Sequence, residues 1–171
     1  ETPLTVEKEI FLEQNTEAGP VFLPISRDEG RGTRDEDIDS VKTNFHHLEI
    51  GDKLKVRLIV TVDRNMEFVH LKDLRAAGLE PSAQSDSQTH KLTNSPLSGY
   101  RYQDGLGYYQ STTDLATNFF FDYLPKGTWV FEYPLIVNNA GDFSTGIATI
   151  QCMYAPEFSA HSEGSRLEVG R

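Results

Sequence analysis

The chain has 171 residues, 26 of them acidic against 16 basic, for a formal net charge of −10, and it holds a single cysteine. That balance excludes a nucleic-acid interface, which needs clustered Lys and Arg, and argues against docking on anionic lipid; one cysteine rules out an internal disulfide. Hydrophobic residues at 37% and aromatics at 11% instead support a single globular domain over 1–171 built on half-buried strands, its acidity serving solubility.

Leu4 to Leu12 alternates and reads as a first strand. Residues 13–43 break that pattern. They carry Gly19-Pro20, Pro24, Gly30 and Gly32, with eight acidic residues against four basic, and read as a long acidic loop insertion with room for a short strand at Val21 to Ile25. Gly51-Asp52 turns the chain into its cleanest strand: Leu54, Val56, Leu58, Val60 and Val62 on one face, Lys53, Lys55, Arg57 and Thr61 on the wetted one, with Ile59 the exception. Asp63-Arg64-Asn65 leads to a hairpin partner over Glu67 to Leu74, and Ala77 to Pro96 reads as loop.

Short aromatic strands follow at Gly99 to Gln103 and Tyr108 to Ser111 around Asp104-Gly105. Leu115 to Leu124 and Thr128 to Val137 form a hairpin over Leu-Pro-Lys-Gly, with Pro125 and Gly127 at the second and fourth turn positions. Pro134 predicts an edge or a bulge at that point of the second strand. Residues 138–142 read as a connection, Ile147 to Tyr154 as a strand, and Arg166 to Val169 as a last short one. Many short strands, regular turns and no helical stretch predict an all-β fold, an antiparallel two-sheet β-sandwich.

Chemistry-bearing patterns are weak. Asp35, Asp37 and Asp39 open like a calcium loop, but Ser40 and His46 stand where the bend glycine and the bidentate Glu belong. His46 and His47 are adjacent and point to opposite faces of a strand; His70, His90 and His161 add no ligand spacing. Cys152 shares the apolar phase of Ala148 and Ile150 and reads as a small core hydrophobe. There is no nucleophile elbow and no phosphate loop. Tyr100, Tyr102, Tyr108 and Tyr109 crowd one hairpin, either completing the core or offering a sugar platform or a protein contact. Tyr154 falls on the core phase, with Pro156 ending its strand two residues later.

The blocks Gly51 to Val56, Phe68 to Arg75, Gly105-Leu106-Gly107-Tyr108-Tyr109, Phe119 to Thr128 and Ile150 to Glu163 resemble the C-terminal macroglobulin-like domain of bacterial, Bacteroidetes-type alpha-2-macroglobulins. Starting at Glu1 rather than Met, the chain is accordingly read as excised from a larger multidomain protein. The resemblance implies a periplasmic or cell-envelope parent, lipid-anchored, that traps proteases when its bait region is cut. It implies a non-catalytic domain without cofactor or metal that packs on a helical, thioester-type domain of the same parent. The Met-Tyr-x-Pro block assigns the thioester-shielding role to Tyr154, and the expected partner contacts are Met153, Tyr154, Pro156, Glu157, Tyr108 and Tyr109. The readings of another class are a carbohydrate-binding sandwich on the tyrosine hairpin and an inert Ig-like spacer of a surface adhesin.

Overall fold

A computed structural model describes residues 3–26, 48–81, 107–113 and 115–170. These carry twelve strands and no helix: β1 (Leu4–Thr16), β2 (Gly19–Ser26), β3 (Lys53–Val62), β4 (Met66–Leu74), β5 (Leu79–Pro81), β6 (Tyr109–Thr112), β7 (Ala116–Leu124), β8 (Gly127–Val137), β9 (Gly141–Thr145), β10 (Ala148–Cys152), β11 (Ala155–His161) and β12 (Ser165–Val169). They form a five-stranded sheet β2-β1-β3-β8-β5, a five-stranded sheet β11-β10-β4-β7-β6, and a two-stranded ribbon β12-β9. All the strand pairings are antiparallel. The fold is the antiparallel sandwich that the alternating strands predict.

Period two puts one face of each large sheet inside. Val6 and Ile10 of β1, Leu54 to Val62 of β3, and Trp129, Phe131 and Tyr133 of β8 meet Val69 and Leu71 of β4, Phe119 and Phe121 of β7, and Ile150 of β10. Phe131 packs against both Phe119 and Phe121, with ring centroids 5.4 Å apart, where one sheet faces the other. The β3–β8 register runs unbroken from Lys53–Ile136 to Val62–Gly127, and Gly127 takes the positive φ (140°) that ends the Leu-Pro-Lys-Gly turn. β5 pairs only with Leu135–Val137, so Pro134 sits where that flank of β8 loses its partner among the described residues, the edge position that a residue without an N–H requires.

Several expectations need correction. Residues 13–43 do not begin as loop: β1 continues to Thr16, turns at Glu17-Ala18, and returns as β2 through Gly19 (φ 114°). The polar composition that suggested a loop belongs to a ribbon that outruns the core, with Gln14 to Ala18 exposed. Residues 27–43 lie outside the described residues, as do the aspartates at 35, 37 and 39, the histidines at 46, 47 and 90, and Tyr100 and Tyr102. The stretch read as loop from Ala77 includes β5, and the connection at 138–142 runs into β9. On β3, Arg57 is buried rather than wetted; its guanidinium bonds Glu132 at 3.2 Å, approaches Glu9 at 3.8 Å and lies over the Phe11 ring.

One polar cluster lies inside. Lys8 takes an inward position on β1, and its ammonium donates to Asp73 Oδ1 at 2.6 Å and to the carbonyls of Gly146 at 2.9 Å and Leu74 at 3.1 Å. The Tyr133 hydroxyl donates to the other Asp73 oxygen. Asp73 is fully buried, and that desolvation pushes its carboxyl up to about 6 against the pull of Lys8. The cluster joins β1 and β8 of one sheet to β4 of the other.

Candidate interaction surface

Strand register brings three turns to one end of the sandwich. The β3–β4 turn at 63–65, the β7–β8 turn at 125–126 and the β10–β11 turn at 153–154 lie together, because Val62 faces Gly127, Met66 faces Leu124 and Cys152 faces Val69. Lys126 N–H donates to Asn65 Oδ1 at 2.8 Å, linking the first two turns, and Asp63 N–H donates to the Pro3 carbonyl at 2.9 Å.

Tyr154 is the most exposed large hydrophobic residue among those described, at 81%, and stands in the two-residue turn after β10. The expected strand to Tyr154 thus stops two residues earlier, at Cys152. Tyr154 leaves the core phase because the chain reverses there, and Pro156 does not end a strand but lies in β11, the outer strand of its sheet. The β10–β11 pairing slips from Gln151–Ser159 to Cys152–Ala155, so residues 156–158 bulge from the ladder. Pro156 and Glu157 are exposed on that bulge; Phe158 packs back on the core with Arg64 over its ring.

Phe68 supports the tip. It is the one described non-glycine residue with positive φ (53°). Its ring meets Tyr154 edge-on, centroids 5.1 Å apart and planes at 89°, and its carbonyl accepts the Met153 N–H at 2.8 Å. Exposed Met153 and Tyr123 extend the apolar rim. The pattern held a signal for Phe68: inward residues run Met66, then Val69 and Leu71, a break in period two across Glu67 and Phe68.

Of the six residues expected at a partner contact, the fold gathers Met153, Tyr154, Pro156 and Glu157. Tyr108 points inward, its centroid 5.6 to 6.0 Å from those of Phe119, Phe121 and Phe131. Tyr109 is exposed on β6, three strand positions from β10, about 14 Å away at normal strand spacing. Across that face His70 stacks on Phe120 with centroids 4.5 Å apart, and Tyr109 tilts against Phe120 from the other side.

Around the apolar tip the rim carries exposed charges, among them Asp63, Arg64, Lys126 and Glu157. Cys152 beneath it is buried 3.5 Å from the Met66 sulfur, and desolvation, with the Glu157 charge, raises its thiol away from thiolate. His70 Nε2 is bonded to Asn118 at 2.8 Å, and His161 Nδ1 pairs with the Ser162 carbonyl at 3.0 Å. The described residues contain no group of three His, Cys, Asp or Glu side chains able to hold a metal.

A family model described as the Bacterial Alpha-2-macroglobulin MG10 domain matches residues 24–157. Among solved structures, a tyrosine-to-glycine mutant of Salmonella alpha-2-macroglobulin aligns over 99% of this chain and 9% of its own, at 18% identity and a TM-score of 0.65. Salmonella alpha-2-macroglobulin reacted with methylamine aligns over 99% of this chain and 9% of its own, at 17% identity and a TM-score of 0.67. Native Escherichia coli alpha-2-macroglobulin spanning domain MG7 to the C-terminus gives 17% identity and a TM-score of 0.66 over 99% of this chain and 24% of its own. No curated protein matches the chain. The chain therefore spans a small fraction of the length of the proteins that it resembles.

Proposed function

The chain belongs to the bacterial alpha-2-macroglobulin MG10 domain family, and we propose that it serves its parent as a single non-catalytic docking domain that rests, through the rim around Tyr154, on a helical thioester-type domain. In this reading the parent is a protease trap of the periplasm or cell envelope, lipid-anchored, and meets proteases elsewhere in its length. The Tyr154 ring covers the thioester. A thioester survives where water and amines are excluded, and a flat aromatic side chain with two torsions excludes both at small entropic cost.

One observation carries this reading: an 81% exposed tyrosine held by the Phe68 ring at the tip of the β10–β11 turn, with exposed Met153 beside it. Exposed apolar surface of this kind favours a partner over water. Two solved relatives fit it, one a tyrosine-to-glycine mutant and one reacted with methylamine. The test is Tyr154→Ala in the full-length parent, following methylamine incorporation. Faster incorporation than in the unmodified parent supports the shield; an unchanged rate removes Tyr154 from that role. Docking is tested separately by cross-linking Met153→Cys to the helical domain, and absence of any cross-link from the rim would overturn it.

A further inference from the structure

We infer that Phe68 is a positioning residue for Tyr154: its left-handed backbone and its ring together fix the direction in which the tyrosine points. The inference rests on the docking reading above for its functional consequence, though not for its geometry.

A phenylalanine at φ 53° is a steric outlier, since Cβ crowds its own backbone there, and such conformations persist only where the surroundings impose them. Glycine would adopt it freely. The conformation resets the inward phase of β4 without changing its register. Glu67 faces Tyr123 and Val69 faces Phe121, so Phe68 stands level with Asp122, and the inward side passes from Met66 to Val69 on β4 in step with Leu124 to Phe121 on β7. The phase change leaves the Phe68 ring 40% exposed, on the side where the β10–β11 turn arrives.

Two links follow from the same residue. The Phe68 carbonyl accepts the Met153 N–H at 2.8 Å and so fixes the first residue of the turn. The Phe68 ring meets the Tyr154 ring edge-on, the geometry in which the positive rim of one ring faces the negative face of the other. Among the described residues, this is the ring contact that Tyr154 makes. An exposed tyrosine without it would sample three χ1 wells; with it, one well is selected before any partner arrives. The ordering cost of docking then falls on the fold and not on the encounter.

The test compares Phe68→Gly, Phe68→Ala and Phe68→Tyr. In this chain, fluorotyrosine at position 154 reports the ring by fluorine NMR, alongside the melting temperature. In the full-length parent, methylamine incorporation is followed. Phe68→Gly relieves the backbone and should keep the melting temperature within a few degrees. It should nonetheless move the fluorine resonance to a rotamer-averaged position and speed methylamine incorporation by about threefold to tenfold. Phe68→Ala should show the same loss of ring order, and Phe68→Tyr should restore both signals. A resonance unchanged in Phe68→Gly and Phe68→Ala overturns the inference, as does one that moves only as far as the melting temperature falls. Should Tyr154→Ala leave the parent's methylamine reaction unaltered, the shielding reading fails, and the fluorine resonance alone decides for Phe68.

Discussion

Replacing Lys8 with Met keeps the length of the side chain on β1 and deletes only its charged end. The ammonium has three acceptors, Asp73 Oδ1 at 2.6 Å and the Gly146 and Leu74 carbonyls at 2.9 and 3.1 Å. Two buried carbonyls lose a donor, at roughly 1 kcal/mol each, part of it recovered by the apolar Met. The larger effect is on Asp73. Its carboxyl, raised to about 6 in the folded state from 3.8, must become fully protonated once its cation is gone. At pH 8 that means about two pH units, or roughly 3 kcal/mol. At pH 5 the folded carboxyl already holds its proton, and this part of the cost disappears. The direction follows from linkage: a raised folded pKa makes Asp73 most favourable to folding below pH 3.8, an advantage lost as pH rises through 6. Lys8→Met moves the folded pKa further up and extends that loss above 6. Urea unfolding of both proteins should give a difference of about 3–5 kcal/mol at pH 8 and about 1–2 kcal/mol at pH 5. Equal differences at the two pH values would refute the assignment of Asp73 as the group whose proton is at stake.

Gly146→Ala should destabilise by about 2 kcal/mol or more in chemical denaturation, since a Cβ there overlaps the Leu74 carbonyl and no flexible side chain can move aside. Phe121→Ala, which empties the space against Phe131 and Tyr108, should cost about 3–5 kcal/mol in the same assay. Tyr154→Ala should change stability by no more than about half a kcal/mol, because the ring is mostly in water; a large loss would mean that the tip belongs to the core. Cys152 should resist a thiol reagent at pH 8 until the chain is unfolded, as burial holds the thiol protonated.

The strands that could be read from the sequence were those with one dry and one wet face. β3 announces itself through Leu54, Val56, Leu58, Val60 and Val62, all buried, and the β7–β8 hairpin through its turn chemistry. Elements whose side chains protrude or barely touch the core gave no such alternation: the outer half of β1, the three-residue β5, and β9, whose buried residue is Thr145. Lys8 occupies an inward position in an alternating strand, and polarity alone could not reveal that its partner lies 65 residues away on the facing sheet. Tyr154 was placed in the right block but on the wrong local element, because nothing in an apolar alternation marks where a strand reverses. The phase break between Met66 and Val69 was visible in principle, but only the fold shows that the Phe68 ring it turns outward meets Tyr154.

Three of the four outer strands of the large sheets contain proline: Pro20 and Pro24 on β2, Pro81 on β5, and Pro156 on the bulge of β11. A proline offers no backbone donor, and a bulge removes the straight template that an incoming strand would copy. Such borders discourage recruitment of a foreign segment by ladder extension. Beside another pleated module, such borders would keep each module's hydrogen bonding its own and leave side-chain contact as the route for neighbours to associate.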